Sequence, residues 1–407
     1  MSLLPRVILP SDADASGRDF GAPELSLLQE VLRSGTLNCT KGSQVKAFEQ
    51  EFATRYGMPH CRAVTSGTSA CHTAMAALAL EPGDEVITTP VTDMGAIAGI
   101  LYVGAIPAFA DVDPITLNIT PETVAARITP RTRAIVATHL FGNPCDIQGI
   151  LAVAARHGLP VVEDVAQAFL ATVDGQLTGT FGAIGAFSLQ QGKHMTTGEG
   201  GMVLTRDPKL ARHMVLFSDK AWGYGDPNPD HYFLAPNYRM TELQGAVARA
   251  QLAKVDGVVA RRQATAKRLT DLLEGTPGLV LPAAARNATH VYWKYPLIVD
   301  PSLIRGGADA LGKELKARGV WCAPRYIVKP AFECEVIREQ RTFGTSRWPY
   351  SLRDGNPGSL PTLAKADFPG TYHGLATVVV LPWNEQYADE HVEFIARAAQ
   401  EAVSCLR

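Results

Sequence analysis

One lysine lies between two glycine-rich stretches of this sequence. Residues 182–205 read GAIGAFSLQQGKHMTTGEGGMVLT, and the apolar runs on either side of Lys193 predict two strands connected by a crowded loop. A lysine that is partly removed from water loses ammonium character, and its neutral amine can then form a Schiff base with an aldehyde. A surface lysine in a hairpin loop is the alternative, and the neighbouring motifs have to decide between the two.

Hydroxyl and glycine residues begin a helical pattern after a short predicted strand at residues 62–64. The sequence TSGTSA, residues 65–70, includes Gly67 and Thr68. The free N–H groups and the dipole of a helix N-terminus favour an anion, so this segment is a candidate phosphate site. Ordinary helix capping by Ser66 or Thr68 is the alternative.

Asp164 directly follows an apolar run, residues 159–163, that predicts a buried strand. Its carboxylate either caps the next turn or faces a ligand beyond the end of the strand. A carboxylate that keeps a pyridine nitrogen protonated makes the ring an electron sink, which is what a pyridoxal phosphate (PLP) enzyme needs beside its lysine. Both interpretations stay open at this point.

The elements that position these residues alternate between strands and helices. This alternation predicts a mostly parallel sheet covered on both faces, with ligands at the carboxyl ends of its strands. The predicted strands cover residues 85–89, 106–110, 133–139 and 159–163, and the predicted helices cover 23–33, 43–56, 93–103 and 147–157. Later patterns predict helices at 258–273 and 303–318, an aromatic-rich strand at 291–300 and an irregular segment at 329–369.

Composition limits the class of protein. The 407 residues are too many for one ordinary core, and 46% apolar with 19% charged residues is typical of a soluble globular protein. The net charge of −2 argues against a nucleic-acid partner. Seven cysteines without a C-x-x-C pair favour reduced thiols in a cytoplasmic protein over disulfides or a metal site. Neither a signal peptide nor a membrane span is predicted.

Six motifs resemble, in order and spacing, those of the DegT/DnrJ/StrS family of PLP-dependent sugar aminotransferases. They are SGTSA (66–70), GDEVIT (83–88), FADVDPITLNI (109–119), VVEDVAQA (161–168), FSLQQGKHMTTGEGG (187–201) and NYRMTELQGAVARAQL (237–252). The resemblance implies the α/β fold of PLP fold-type I, which is the aspartate aminotransferase type. It implies a large PLP-binding domain (1–255, with an N-terminal arm) that has a mostly parallel mixed sheet, and a smaller α+β C-terminal domain (256–407).

The same resemblance implies roles beside the cofactor ring. Lys193 matches the lysine that binds PLP as a Schiff base and, once released, moves a proton between the amino-acid Cα and the cofactor. Asp164 matches the carboxylate on the pyridine nitrogen, and Gln167 matches a side chain that lies beside the ring.

Further matches concern the cofactor phosphate. Gly67 and Thr68 match the backbone cup around it, and Ser188 matches a hydroxyl that reaches it. Asn237 matches a residue that reaches the phosphate from the neighbouring subunit. The resemblance therefore implies a homodimer with shared active sites.

Two positions near these motifs need separate interpretation. The family usually places an aromatic residue over the ring at the position of Asp93, and a carboxylate cannot supply a stacking face. Either Met94 covers the ring, or Asp93 faces the substrate amine. His194 follows the lysine and is interpreted as a structural neighbour, because adjacent side chains diverge.

Three cations are candidates for binding an anionic substrate. Arg239 and Arg325 carry planar guanidinium groups that suit carboxylates and phosphates, and Lys220 lies in a loop before the last motif. For Arg239, a salt bridge at a helix end is an equal alternative. The irregular segment at 329–369 either shapes the acceptor pocket or is a surface insertion.

These observations predict an aminotransferase with a ping-pong mechanism and no metal. L-glutamate or L-glutamine would donate the amino group through Lys193, and pyridoxamine phosphate would pass it to a nucleotide-linked keto sugar or a keto-cyclitol in amino-sugar or antibiotic biosynthesis. Some relatives carry histidine at the lysine position and act as dehydratases, so Lys193 favours transamination. A dehydratase or epimerase on the same scaffold and a non-catalytic regulatory homologue are the alternatives.

Overall fold

The computed structural model describes residues 7–354 and 360–407, so the first six residues of the predicted arm and part of the irregular segment at 329–369 lie outside the described residues. The helices are α1 (Ala22–Ser34), α2 (Gln44–Tyr56), α3 (Gly67–Ala77), α4 (Met94–Tyr102), α5 (Pro121–Ala125), α6 (Ile147–Arg156), α7 (Pro208–Phe217), α8 (Glu242–Leu252), α9 (Val255–Leu273), α10 (Gly307–Ala317), α11 (Glu335–Arg338), α12 (Pro369–Thr377) and α13 (Asp389–Leu406). The strands are β1 (His60–Val64), β2 (Glu85–Thr88), β3 (Ile106–Phe109), β4 (Thr132–Thr138), β5 (Val161–Asp164), β6 (Thr172–Val173), β7 (Gln176–Leu177), β8 (Ile184–Ser188), β9 (Gly201–Thr205), β10 (Leu279–Val280), β11 (Lys294–Val299), β12 (Ala323–Pro324) and β13 (Val378–Pro382). Within the described ranges, no helix has both the length and the apolar character needed to cross a membrane.

A seven-stranded sheet forms the centre of the first lobe, in the order β1-β9-β8-β5-β4-β2-β3. Neighbouring strands from β8 to β3 pair in parallel, and β9 runs antiparallel to both β8 and β1. Every residue of β2, β5 and β8 is buried, as expected for strands that helices cover on both faces. The predicted α/β fold with a mostly parallel mixed sheet is confirmed.

The second lobe contains an antiparallel sheet in the order β10-β11-β13-β12. Helix α9 belongs to the cores of both lobes: Val255 and Val259 pack in the first, whereas Leu269 and Leu273 pack in the second. The predicted boundary after residue 255 therefore falls at the start of a shared helix. The division into domains 1–255 and 256–407 stays a prediction.

Two predicted boundaries in the second lobe were wrong. The aromatic-rich strand begins only at Lys294, which leaves Trp293 in the loop before β11. The helix that follows begins at Gly307, because Gly306 and Gly307 adopt φ angles of 81° and 58°. Such left-handed backbone conformations do not belong in the interior of a right-handed helix.

The described part of the irregular segment at 329–369 packs on the outside of the first lobe. The ring of Phe332 lies 5.5 Å from that of Phe109 in β3 and 4.5 Å from that of Phe368. Ile97 of α4 belongs to the same hydrophobic cluster. This part of the segment is a structured cover over α4 and β3, and its role in the acceptor pocket stays a prediction.

A buried ionic network joins the N-terminal arm to the second lobe. The side chain of Arg262 is fully buried, and its guanidinium lies 2.6 Å from the Glu385 carboxylate and 3.5 Å from that of Asp12. Arg18 lies 3.4 Å from Asp12 and 3.7 Å from Glu385. Because these residues come from the arm, from α9 and from the loop after β13, the network attaches the arm to the second lobe.

Replacing Arg262 by methionine is expected to lower the free energy of unfolding by about 3 kcal/mol, because Glu385 would lose its closest cation inside the protein. Denaturant unfolding of the purified protein measures the change. Lys267→Met in the same helix is the matched control, since the pair of Lys267 and Asp271 is exposed and its loss should matter much less. Equal losses in the two variants would contradict this account.

Candidate active site

Several predicted residues meet at the carboxyl edge of the large sheet. Strand β1 ends at Val64, shortly before the N-terminus of α3, and Ser188 is the last residue of β8. Asp164 is the last residue of β5 and pairs with Ala186 of β8, whereas the sequence pattern placed it after the strand. Parallel strands thus bring a helix N-terminus, a hydroxyl and a carboxylate to one edge.

Lys193 lies in the loop between β8 and β9, and contacts on both sides fix its backbone. Its N–H donates to the carbonyl of Gln190 at 2.9 Å. Arg18 Nη1 donates to the carbonyl of Lys193 at 2.9 Å, and Trp293 Nε1 donates to the carbonyl of Gly192 at 2.7 Å. The arm and the second lobe therefore both hold the lysine loop.

The amine of Lys193 lies over an aromatic ring, with Nζ 4.2 Å from the centroid of the Trp293 indole. Burial lowers the pKa of Lys193 to about 8, although the charges of Asp164 and Asp93 act in the opposite direction. The like charge of Lys294 adds to the lowering. A substantial share of neutral amine near neutral pH is what a nucleophilic lysine requires.

Asp164 is a buried carboxylate that both caps a turn and retains acceptor capacity. It accepts the Ala166 N–H at 3.1 Å and lies 3.4 Å from the hydroxyl of Thr138. Burial raises its pKa, and the Ala166 N–H and the charges of Lys193 and His139 act against this rise. Within residues 7–354 and 360–407, no cationic group lies within ion-pair distance of it. The described part of the site therefore has a buried carboxylate without a cationic partner.

The N-terminus of α3 and Ser188 form a small polar cup. Ser66 caps the helix by accepting the Ser69 N–H at 3.0 Å, which leaves the first N–H groups, those of Gly67 and Thr68, without a partner inside the helix. A Cβ atom placed on Gly67 would lie 2.6 Å from the Cβ and 2.8 Å from the Oγ of Ser188, so this hydroxyl adjoins the first residue of α3. Ser66 can therefore cap α3 while the N–H groups of Gly67 and Thr68 remain available to an anion.

Gln167 and Tyr326 lie together near the carboxyl edge. Gln167 Oε1 accepts the Phe141 N–H at 2.7 Å, and the Tyr326 ring lies 4.8 Å from that of Phe141. Burial raises the pKa of Tyr326, whereas its hydrogen bond to Gln167 acts to lower it. Arg325 precedes Tyr326 with a φ of 61° and donates to the carbonyl of Val328 at 3.3 Å. In the described part of the chain, Arg325 has no carboxylate partner.

Asp93 is the exposed N-cap of α4 and accepts the Gly95 N–H at 2.8 Å. A Cβ atom on Gly95 would lie 2.6 Å from the hydroxyl of Thr68, so the start of α4 adjoins the polar cup. Met94 packs against the hydrophobic cluster between α4 and the segment that begins at residue 329. The electrostatic effect of Asp93 on Lys193 places it near the lysine, and its role toward the substrate stays a prediction.

A second group of predicted residues surrounds Asp219 instead. The buried Asp219 carboxylate forms ion pairs with Arg239 and with Lys220, whose Nζ is 2.6 Å away. Asn237 pairs through its backbone with Asp219, and its side-chain oxygen accepts the Arg239 N–H at 3.3 Å. The salt-bridge alternative for Arg239 is thus realised within the chain. The substrate roles of Lys220 and Arg239 and the contact of Asn237 with a neighbouring subunit stay predictions.

His194 is fully buried behind the lysine loop. Its Nε2 lies 2.9 Å from the carbonyl of Val291, and burial lowers its pKa well below the ordinary value. This environment agrees with the interpretation of His194 as a structural neighbour of Lys193.

Three residues at the lysine loop and the carboxyl edge were not among the predicted site residues. Trp293 and Tyr326 lie in the aromatic-rich segments VYWKY and VWCAPRY, and this enrichment was the only signal for either of them. Arg18 lies in an arm without a recognisable pattern, and its contact with Lys193 spans 175 positions of the chain. Contacts between residues so far apart in the sequence can be identified only in the folded chain.

Comparison with known proteins gives consistent matches. Residues 19–352 match the DegT/DnrJ/EryC1/StrS aminotransferase family. The chain is 38% identical over 328 residues to GDP-perosamine synthase of Caulobacter vibrioides, covering 80% of this chain and 85% of that protein. It is 39% identical over 290 residues to the spore coat polysaccharide biosynthesis protein SpsC of Bacillus subtilis, covering 69% and 74%. The X-ray structure of the aminotransferase from Psychrobacter cryohalolentis is similar with a TM-score of 0.83 and 32% identity, covering 96% of this chain and 98% of that one.

Proposed function

Because the chain belongs to the DegT/DnrJ/EryC1/StrS aminotransferase family, we propose that it moves an amino group from L-glutamate or L-glutamine to the ketone of a nucleotide-linked sugar, with PLP as cofactor. One observation carries the proposal: Asp164 ends β5 and the loop with Lys193 follows the end of β8, so the carboxylate and the amine come from the same edge of the sheet. The amine has a pKa lowered to about 8, and the buried carboxylate lacks a cationic partner among the described residues.

The residues at the carboxyl edge fit PLP. A protonated pyridine nitrogen would give Asp164 the cationic partner that the described part of the chain does not supply. The N–H groups of Gly67 and Thr68, together with the hydroxyl of Ser188, suit a phosphate. PLP, when bound, supplies an electron-withdrawing ring that stabilises negative charge next to an amino group.

Each residue then has a defined task in amino transfer. Lys193 would hold the cofactor covalently and, when free, would take a proton from the Cα of the donor and pass it to the cofactor. Asp164 would keep the ring nitrogen protonated, and Gln167, whose side-chain oxygen accepts the Phe141 N–H, would lie beside the ring. A lysine pKa near 8 suits both directions of proton movement, because neither form of the amine is scarce near neutral pH.

The nucleotide-linked sugar is proposed over the keto-cyclitol as acceptor because of the relatives. The protein at 38% identity is named GDP-perosamine synthase, and that at 39% identity is named for polysaccharide biosynthesis. The cyclitol remains the competing outcome of the experiment that follows.

The test records the absorption spectrum of the purified enzyme before and after L-glutamine and, separately, L-glutamate. We expect a visible band to be replaced by a near-ultraviolet band with one of them, which names the donor. The amino-loaded enzyme is then offered a nucleotide-linked keto sugar and a keto-cyclitol, and the ketone that restores the visible band is the acceptor class. A visible band that persists with both donors would instead favour dehydration or epimerisation.

Gly67→Ala is expected to weaken PLP binding about 10- to 100-fold, because the added methyl would lie 2.6 Å from the Cβ of Ser188 and force the two apart. Titration of the cofactor-free protein with PLP measures the affinity. Gly257→Ala in α9 is the control, since the nearest atom there is the flexible end of Arg261. Unchanged affinity for PLP in the Gly67 variant would show that the polar cup is not part of the cofactor site.

We further propose that two copies share each active site, with Asn237 of one copy reaching the phosphate bound to the other. The match of the NYRM segment to the family supports this arrangement. Mixing Lys193→Ala with Asn237→Ala subunits tests it, because a hybrid dimer would then contain one intact site and regain activity that neither variant has alone. No gain on mixing would place Asn237 in the site of its own chain.

A further inference from the structure

Trp293 lies against two amines. Nζ of Lys193 is 4.2 Å from the centroid of its indole, and Nζ of Lys294 is 5.0 Å from the same centroid. Lys294 also lies 3.4 Å from the carboxylate of Asp12. Lys193 has no such carboxylate within ion-pair distance among the described residues, and its amine contacts the face of the indole.

The indole is held in place by three contacts. Its Nε1 donates to the carbonyl of Gly192, next to Lys193, at 2.7 Å. The carbonyl of Trp293 accepts from Arg262 Nη1 at 3.2 Å. The backbone nitrogen of Trp293 packs closely on Gly142, since a Cβ atom placed on Gly142 would lie 2.9 Å from it. The hydrogen bond ties the ring to the lysine loop, and the two backbone contacts fix the residue that carries it.

We propose that the face of the Trp293 indole is the resting site of the Lys193 amino group whenever this group is not bonded to the cofactor. Trp293 is thus a positioning residue for the lysine, and the inference rests on the function proposed above. A free lysine has four rotatable bonds, and it must stay beside the reacting carbon to accept a proton from the donor and pass it to the cofactor. The negative face of an indole attracts the ammonium form and therefore retains the lysine after it has taken up the proton.

Other groups also affect the pKa of the Lys193 amine, and a test has to leave them unchanged. Burial and the charge of Lys294 disfavour the ammonium form, whereas opposite charges at Asp164 and Asp93 favour it. An aromatic face also favours the ammonium form. Loss of that face should therefore lower the pKa of Lys193 when the other groups are unchanged.

The experiment uses enzyme loaded with pyridoxamine phosphate, in which Lys193 is free. Acetylation of Lys193 by acetic anhydride between pH 6 and pH 10, followed by peptide mass spectrometry, gives its pKa. Trp293→Phe and Trp293→Leu form the matched pair, because both lose the N–H donor to Gly192 and only phenylalanine keeps an aromatic face. We expect the pKa of Lys193 to be about half a unit lower with leucine than with phenylalanine.

The exposed Trp321 provides the control, and Trp321→Leu should leave the pKa of Lys193 as in the parent protein. If the leucine variant does not fold, Trp293→Met replaces it, since methionine is unbranched and adapts to irregular spaces, and it also lacks a ring. Equal pKa values in the two members of the pair, or a higher value without the ring, would overturn the proposal. The same titration can be made on cofactor-free protein, and it needs no turnover. A failure of the proposed function would be seen separately, because borohydride reduction would then fix no PLP on Lys193.

Discussion

Replacing Lys193 by alanine is expected to lower kcat for amino transfer by about 10⁴-fold without changing the fold. The variant would lose both the covalent hold on the cofactor and the group that moves the proton. The polar cup beside Ser188 and the carboxylate of Asp164 remain, so noncovalent binding of PLP should persist. Amino transfer measured at saturating donor and acceptor, together with PLP binding by equilibrium dialysis, separates these two effects.

Lys46→Ala is the control for this prediction, because the side chain of Lys46 is exposed on α2. It should retain full activity. A Lys193→Ala variant that kept its biological effect without amino transfer would favour a regulatory homologue over an enzyme. A Lys193→Ala variant that kept amino transfer would show that another residue supplies the catalytic amine.

The large sheet could be predicted because its strands carry their own signal. Strands buried on both faces are short continuous apolar runs, and the runs that end at Asp164 and Ser188 are bounded by turns. Once the strands are parallel, their carboxyl ends must share one edge, and this places both side chains near the N-terminus of α3. Local pattern and topology together are therefore sufficient for this half of the site.

The surroundings of Lys193 could not be predicted in the same way. Trp293 touches the loop across 101 positions of the chain and Arg18 across 175, and neither contact has a local pattern. The sequence also places Lys220 and Arg239 in segments where their charges are equally suited to substrate or to protein. Only the folded chain shows that both meet the buried carboxylate of Asp219.

Asp164→Asn is expected to lower kcat by about 10³-fold, because a neutral amide cannot stabilise a protonated pyridine nitrogen as a carboxylate does. Asparagine has the same shape and can still accept the Ala166 N–H, so the turn after β5 should be kept. Steady-state kinetics with the donor and acceptor identified above measures the loss. A variant with undiminished kcat would exclude Asp164 from the chemistry.

The same substitution is expected to make the cofactor-free protein more stable at pH 7. Burial raises the pKa of Asp164, so its ionised form is less favourable in the folded chain than in the unfolded one. The resulting loss of stability develops as the pH rises above the ordinary pKa of an aspartate, and asparagine removes it. Asp146→Asn is the control, because Asp146 is an exposed cap of α6 that accepts the Gly149 N–H at 2.9 Å, and its change should affect neither property. A variant of Asp164 that lost both stability and activity would mark the residue as a structural cap, whereas a gain in stability with a loss of activity is the signature of a carboxylate kept for its ligand.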